Sequence, residues 1–214
     1  QLHRSPGVFF GEETHPNGKL LFNARIIPYR GSWVEFSMDI NDVKYAHIDR
    51  KRKFPATMLL RAFGYSDDES IWRLFYDTRT LPLNELEPEM ICMQKVVDEE
   101  TGEVVIDTCD LLTDETIEKL LMMKVRELEV LDYDRVRDSM VLENTLKKDP
   151  TSNDEEALYR IYTLLRPGEP PSIETARNLI ERMFFSPRRY NLGDVGRYRL
   201  GHRLNAWGDP ESPT

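Results

Sequence analysis

RIIPYRGSWVEFSMDINDVKYAHIDRKRKFPATMLLRAFG, residues 25–64, is the stretch from which the fold is read. Val34, Phe36, Met38 and Ile40 alternate with Glu35, Ser37 and Asp39, the period of a strand with one buried and one wet face. Ahead of it, Leu20-Leu21-Phe22 and Ile26-Ile27 predict an apolar strand stopped by Pro28, and Arg30-Gly31-Ser32 supplies a turn. After it, Asn41-Asp42 predicts a second turn and Val43 to Asp49 a third strand. Arg50, Lys51, Arg52 and Lys53 follow without a break, and Pro55 then opens a helix holding Met58, Leu59 and Phe63. Proline costs nothing in a first helical turn, because that N–H has no partner there. Gly64 is the expected stop.

Working outward, Val8–Phe10 pairs with Leu20–Phe22 across the Pro16-Asn17-Gly18 hairpin signal. Ser66 with Glu69 three residues on predicts a helix start, and Ile71, Trp72, Leu74 and Phe75 supply its apolar side. Leu81 to Glu89, with Pro82 and Pro88, reads as a linker. Ile91–Val97 and Val104–Ile106 flank an Asp98–Gly102 loop, a hairpin whose acids lack the spacing of a calcium loop. Thr113 caps a helix with Ile117, Leu120 and Leu121, and Val125–Leu131 returns to strand alternation. Residues 152–156 start a further helix that ends at Arg166-Pro167-Gly168, and Ser172 caps another, broken at Ser186-Pro187. The fold class is therefore α+β: a small antiparallel sheet with packed helices, carrying a small α+β insertion. The expected division is a body of 1–84 and 136–204, an acidic insertion over 85–135 and a frayed tail over 205–214.

The 214 residues carry a net charge of −9, with 40% hydrophobic and 31% charged residues, a balance suited to a folded core. That total hides a division. Residues 67–156 hold 26 acidic and 10 basic residues, whereas 1–66 balance at +4 and 157–214 at +3. If the two basic ends meet, the fold has a positive side. No apolar run approaches the roughly 20 residues that cross a bilayer. Cys92 and Cys109 make neither a disulfide framework nor a zinc site, which fits a reduced, cytoplasmic setting. The opening Gln1, with no apolar signal core after it, reads as a cut inside a longer polypeptide.

Cations at turns beside Trp33 suit a surface that touches a polyanion, with an aromatic to stack on a base. The same features also describe a solvated loop and a half-buried sheet aromatic. The SPRRYNLGDVGRYRLGHR stretch, 186–203, interleaves Arg188, Arg189, Arg197, Arg199 and Arg203 with Tyr190 and Tyr198. It suits phosphate contact or docking onto an acidic protein surface. No Gly-rich phosphate loop, HExxH or nucleophile elbow is present, and His3, His15, His47 and His202 are not at ligand spacing. No catalytic or metal-ligating residue is assigned, and the chain is read as non-catalytic by itself.

Five blocks in order, QLHRSPGVFF (1–10), NARIIPYRGSW (23–33), IDRKRKFPAT (48–57), LLRPGEPP (164–171) and FFSPRRYNLGDVGRYRL (184–200), resemble the β subunit of bacterial DNA-directed RNA polymerase. They are similar to its lobe, or second domain, which forms an upper jaw of the DNA cleft. The resemblance implies that Arg4 and Trp33 approach the nontemplate strand near the downstream edge of the bubble, with Arg30 and Arg50, Lys51, Arg52 and Lys53 facing downstream DNA. It further implies that the lobe meets σ factor alongside the remainder of β and β′, and that residues 85–135 are a variable insertion on which transcription factors could dock. The catalytic magnesium would belong to β′, so no cofactor is expected in this chain and no membrane is involved. The alternative is a protein-docking module that makes no direct contact with DNA.

Overall fold

The computed structural model describes residues 4–205, which divide into two compact units. One runs up to Ser66 and resumes at Val141; the other is Asp67–Met140, a span reaching outside 85–135 at both ends. Together the nine strands and seven α-helices of the described residues make an α+β fold.

The first unit is built on a five-stranded antiparallel sheet in sequential order: β1 (Gly7–Thr14), β2 (Leu20–Ile27), β3 (Val34–Met38), β4 (Lys44–Ile48) and β5 (Phe54–Pro55). The Asn17-Gly18 signal sets the first hairpin, with Thr14 opposite Leu20 and Gly7 opposite Ile27, so Val8–Phe10 pairs with Ala24–Ile26 and not with Leu20–Phe22: β1 runs on to Thr14, and Glu12–Thr14 take that place. β3 pairs Val34 with Ile48 and Phe36 with Ala46, so the apolar alternation of β3 faces the same side as Ala46 and Ile48, which are fully buried. Ile40 does not continue that face. It lies in the turn after β3, 43% exposed, where Asp39 accepts the N–H groups of Asn41 and Val43 and bends the chain out of the sheet.

α1 (Ala56–Ala62) brings Met58 and Leu59 onto the sheet, and α5 (Asp154–Leu165) adds Ala157, Leu158 and Ile161. α6 (Ile173–Ile180) contributes Ala176 and Ile180, and one π-helical turn (Glu181–Phe185) delivers Phe184 against Tyr190. Each fully buried Leu or Ile in such a cluster contributes about 1.5–3 kcal/mol. Pro55 occupies the N-cap of α1 rather than its first turn, because it still pairs with Tyr45 at the edge of the sheet. Gly64 follows the C-cap as expected, donating its N–H to the Arg61 carbonyl.

Two buried charges cross this unit. Arg61 and Asp149 have side chains 2% and 0% exposed, and Asp149 Oδ2 accepts Thr57 Oγ1–H at 2.7 Å and Arg61 Nε–H at 3.4 Å. Arg61 also donates to the Ser66 carbonyl at 2.8 Å. α4 (Val141–Lys148) packs on β4, with Thr145 Oγ1 accepting the Lys44 N–H.

In the second unit α2 (Asp68–Phe75) is capped by Asp67, not Ser66: Asp67 Oδ1 accepts the Ser70 N–H, while the Ser66 hydroxyl donates to the Asp154 carboxylate in the first unit. Ile71 and Trp72 are buried, but Leu74 and Phe75 are exposed because only one side of this short helix meets the unit's interior. The 81–89 stretch is no linker. It completes β6 (Thr78–Pro82), which pairs with β9 (Glu127–Leu131), and then makes a short 3-10 turn that buries Leu83 ahead of the buried Leu86. β7 (Val96–Val97) and β8 (Val104–Ile106) form the expected hairpin, and Thr113 accepts the Thr116 N–H to start α3 (Asp114–Met122). Leu83, Cys92, Ile106, Leu120, Leu128 and Val130 share one cluster, and Trp72, Tyr76 and Tyr133 meet in tilted and edge-to-face contacts with centroids 5.0–5.8 Å apart.

The last element, α7 (Gly193–Leu204), falls where the sequence showed only an arginine–tyrosine segment; it packs along β1. The expected tail beyond Asn205 lies outside the described residues.

Candidate nucleic-acid interface

Trp33 sits in the connection between β2 and β3, half-buried. Its backbone N–H donates to Asp49 Oδ1 at 2.9 Å and its carbonyl accepts the Asp49 N–H at 3.0 Å. Asp49 is the first of two consecutive residues in the left-handed region, φ 48° at Asp49 and 58° at Arg50, closed by the Lys51 N–H on the Ile48 carbonyl. That is the mirror-image turn whose twist matches a β-hairpin, and Asp tolerates it well. Its consequence is positional: the turn carrying the cations is fastened to the backbone of the tryptophan.

Arg50, Lys51, Arg52 and Lys53 are all exposed. Lys53 differs from the other three, for its ammonium stands 4.3 Å from the Tyr45 ring centroid on β4. Arg4, exposed at the start of the described chain, places its guanidinium 5.9 Å from the Trp33 ring centroid. The two residues singled out from distant blocks, 29 positions apart, are thus in cation–π contact.

Arg30 is turned elsewhere. Its backbone makes a two-way bridge with Asn191, at 3.0 and 2.8 Å, and its Nη1 donates to the Arg188 carbonyl at 3.3 Å. Arg188 and Arg189 are exposed beside it, Arg197 is half-buried in α7, and the Arg199 stem packs on Gly7 at the start of β1. Arg203 lies over Phe10, 5.4 Å from its ring centroid. The arginine-rich stretch therefore divides, its first part beside the Arg30 turn and its second part backing β1.

One cavity of about 310 Å³ draws on four separate stretches of this unit, with Ser32, Asp49, Lys51, Arg166, Arg182 and Arg189 on its wall. Arg166 and Arg182 were not among the candidates. Arg166 stands in the quoted LLRPGEPP block and keeps a 3.6 Å ion pair with Glu169, while Arg182 is on the π-helical turn. Only the fold brings them beside Lys51. Four cations, Arg166 among them still paired with Glu169, against one committed carboxylate make this concavity positive. Over the whole sequence, 1–66 and 141–214 hold 17 acidic and 21 basic residues, a balance of +4, and 67–140 hold 21 and 8, a balance of −13.

Among the described residues no group of His, Cys, Asp and Glu is arranged to hold a metal, and no helix is long and apolar enough to cross a membrane. What the geometry offers chemically is cationic donors beside a partly exposed indole.

The family model for RNA polymerase Rpb2, domain 2, matches residues 4–213. The chain belongs to this family. It is 42% identical to the DNA-directed RNA polymerase subunit beta of Flavobacterium psychrophilum over 95% of its length, and 42% identical to those of Porphyromonas cangingivalis and Bacteroides thetaiotaomicron over 99% and 98%. In each case it spans 18% of the relative. The five blocks thus lie in a domain 2 of the polymerase β-subunit type, and Arg4, Trp33 and the Asp49–Lys53 turn belong to its sheet unit.

Proposed function

We propose that this domain is the lobe of a bacterial RNA polymerase β subunit and guides DNA along the downstream cleft. In this reading Trp33 stacks on an unpaired nontemplate base and Arg4 contacts that base or its phosphate. Arg50, Lys51 and Arg52, with Lys53 and Arg30 behind them, face the downstream duplex. Arg188 and Arg189 extend the phosphate-facing side, with Arg197 on α7 a further contact to phosphate or protein; Arg199 supports β1. The observation that carries the reading is the pair itself: Arg4 over the Trp33 ring, with the basic turn hydrogen-bonded to the tryptophan backbone. The domain works within the assembled cytoplasmic polymerase, beside the rest of β, β′ and σ, and supplies no catalytic group; magnesium is held by another subunit. The acidic 67–140 unit is the face open to transcription factors.

The test is Trp33→Ala in a polymerase assembled with the β subunit that carries this chain. Stacking on an aromatic is worth about 1–3 kcal/mol per base, so the open promoter complex should dissociate roughly tenfold faster or more. Elongation from a preformed bubble should change little. An unaltered open-complex lifetime refutes the stacking role.

The second reading, a protein-docking surface without DNA contact, is favoured by a different observation. Phe10 and Phe22, 48% and 51% exposed, stand on one face of the β1–β2 hairpin. Apolar rings in that position suit a protein partner rather than phosphate. Crosslinks from Arg50–Lys53 to DNA that weaken steeply with salt favour the first reading; their absence favours the second.

A further inference from the structure

The Arg4–Trp33 pair lies on two loops, and loops hold a side chain in place only when something rigid backs them. Both loops are backed by one segment. Gly31, two residues before Trp33, has φ +125°, and a Cβ there would meet Tyr190 Cδ2 at 2.6 Å and the Arg189 carbonyl at 3.1 Å. Tyr190 is only 9% exposed and is itself braced by Phe184 at 5.8 Å. Asn191 fixes the same loop through its two-way bridge to Arg30, and its Oδ1 accepts the Gly193 N–H at 2.7 Å, which ties that bridge to the start of α7. Three residues further on, Gly196 lets α7 close on Pro6, where a Cβ would stand 3.1 Å from the Pro6 Cβ. Pro6 follows Arg4 by two residues.

We infer that Tyr190, Asn191 and Gly196 are positioning residues that hold the tryptophan loop and the arginine lead-in at the mutual distance the pair requires. The inference rests on the reading of Trp33 as a stacking residue. It gives the tyrosine and glycine of the 186–203 stretch a role distinct from that of its arginines: they contact no nucleic acid and act through Trp33 and Arg4. Tyr190 does so as a wedge that only glycine can face. Its ring, not its hydroxyl, is what matters.

The test places 2-aminopurine at unpaired nontemplate positions along the downstream edge of a bubble template, bound to polymerase assembled with the β subunit carrying this chain. Trp33→Ala is the reference and should raise the probe's emission by removing the stacked ring. Tyr190→Ala and Gly31→Ala should each reproduce most of that rise and shorten the open-complex lifetime by about tenfold, while Tyr190→Phe leaves both as in the parent enzyme. Val43→Ala, at the far end of the β3–β4 pair, should lower the melting temperature without changing emission, which separates positioning from loss of stability. Gly196→Ala, which asks Pro6 to shift by only a few tenths of an ångström, is the variant to read where Tyr190→Ala does not fold; it should give a smaller rise in emission. Unchanged emission in Tyr190→Ala and Gly31→Ala, or in Gly196→Ala where those do not fold, overturns the positioning role and leaves stacking intact if Trp33→Ala still raises it. Unchanged emission in Trp33→Ala overturns stacking, and the positioning role falls with it.

Discussion

The turn after β4 and the loop between β7 and β8 solve the same backbone problem with opposite charge. In the sheet unit Asp49 and Arg50 make the turn in the left-handed region, the Asp49 carboxylate accepting the backbone N–H of Trp33 on the neighbouring stretch, and the charged residues around it are Arg50, Lys51 and Arg52. In the 67–140 unit Asp98 does the equivalent work, accepting the Glu100 N–H at 2.9 Å with Gly102 closing the loop, and the residues around it are Glu99, Glu100 and Glu103. Neither turn draws on the charge of the residues beside its aspartate, so folding leaves the sign of that charge open. The surroundings sharpen the contrast. Most cations of the acidic unit are engaged, Lys124 and Arg126 excepted: Arg73 reaches Glu69 at 2.9 Å and Glu129 at 3.0 Å, Lys119 reaches Glu115 at 2.9 Å and Lys95 reaches Asp107 at 3.0 Å. Among the described residues Arg50, Lys51 and Arg52 form no ion pair.

The largest effect expected from breaking the comparison is in the sheet unit's interior. Asp149→Ala removes the buried carboxylate to which Arg61 Nε and Thr57 Oγ1 both donate. Losing one partner of a buried pair costs about 3–5 kcal/mol. Hydrogen exchange should speed up across β4, α1 and α5 and remain unchanged in 78–131, since each unit has its own apolar cluster. Acceleration spread evenly over both units would show that they unfold as one.

The mirror experiment is Leu128→Ala, at a fully buried position on β9. A cavity there should cost roughly 3 kcal/mol. Exchange should now accelerate in β6, β8, α3 and β9, leaving the Trp33 loop as protected as before. The two substitutions together ask whether the acidic unit is a separate body in energetic terms as well as in its packing.

A smaller effect is expected at the surface. Arg50→Ala with Lys51→Ala should weaken DNA crosslinking in the assembled polymerase and flatten its salt dependence by about one unit of slope for each phosphate no longer neutralised. Substituting Lys119 in the acidic unit should leave the slope unchanged. Equal slopes for the two variants would mean that the comparison describes bulk charge and not a site.

These outcomes bear on what could be read from residues alone. The strands were legible because their signals are local: Asn17-Gly18 marks the first hairpin, and Val34, Phe36 and Met38 alternate against a buried partner strand; the register of that hairpin was not, since both strands run on for several residues toward the Asn17-Gly18 turn. Ile40 misled because alternation continued on paper past the point where Asp39 captures the backbone. Ser66 was read as a cap although Asp67, one residue on, offers a charged acceptor to the same helix start and Asp154 claims the serine hydroxyl. The 81–89 stretch looked like a linker because its prolines and glutamates conceal Leu83 and Leu86, which are spaced for one 3-10 turn. α7 was missed for a related reason: glycines at 193, 196 and 201 are poor helix formers, and Gly196 is there to let the helix close on Pro6. The site was legible only in pieces. Arg4 and Trp33 flank the β1–β2 hairpin at its open end, one before β1 and one after β2, and no spacing rule places the guanidinium of one over the indole of the other. Arg166 and Arg182 had still less signal, since their proximity to Lys51 depends on how α5, the π-helical turn and the sheet pack.

The smallest effect expected concerns pH, and it sets the units against each other once more. Five carboxyls of the acidic unit are held below their ordinary range: Asp98 by the Glu100 N–H, Asp107 by Lys95, Glu115 by Lys119, Glu129 by Arg73 and Asp134 by the Val136 N–H. In the sheet unit two are so held: Asp154, where burial pushes upward but Ser66 and Arg177 outweigh it, and Glu156, through the Ser152 N–H. A carboxyl depressed in the folded state adds stability above its unfolded value, near 4, and loses it as pH falls through the folded value. Acidification from pH 5 to pH 2 should therefore lower the unfolding midpoint of the 67–140 unit more than that of the sheet unit. Protonation also relieves the self-repulsion of a −13 surface, which acts in the opposite direction. At 0.15 M salt that long-range term is screened beyond about 8 Å, whereas the five carboxyl interactions are at hydrogen-bond distance and persist. A midpoint of the acidic unit that rises on acidification would mean repulsion dominates and the carboxyl interactions are incidental. Glu129→Gln separates the two: it should shallow the acid limb if the Arg73 pairing contributes, and leave it as steep as before if it does not.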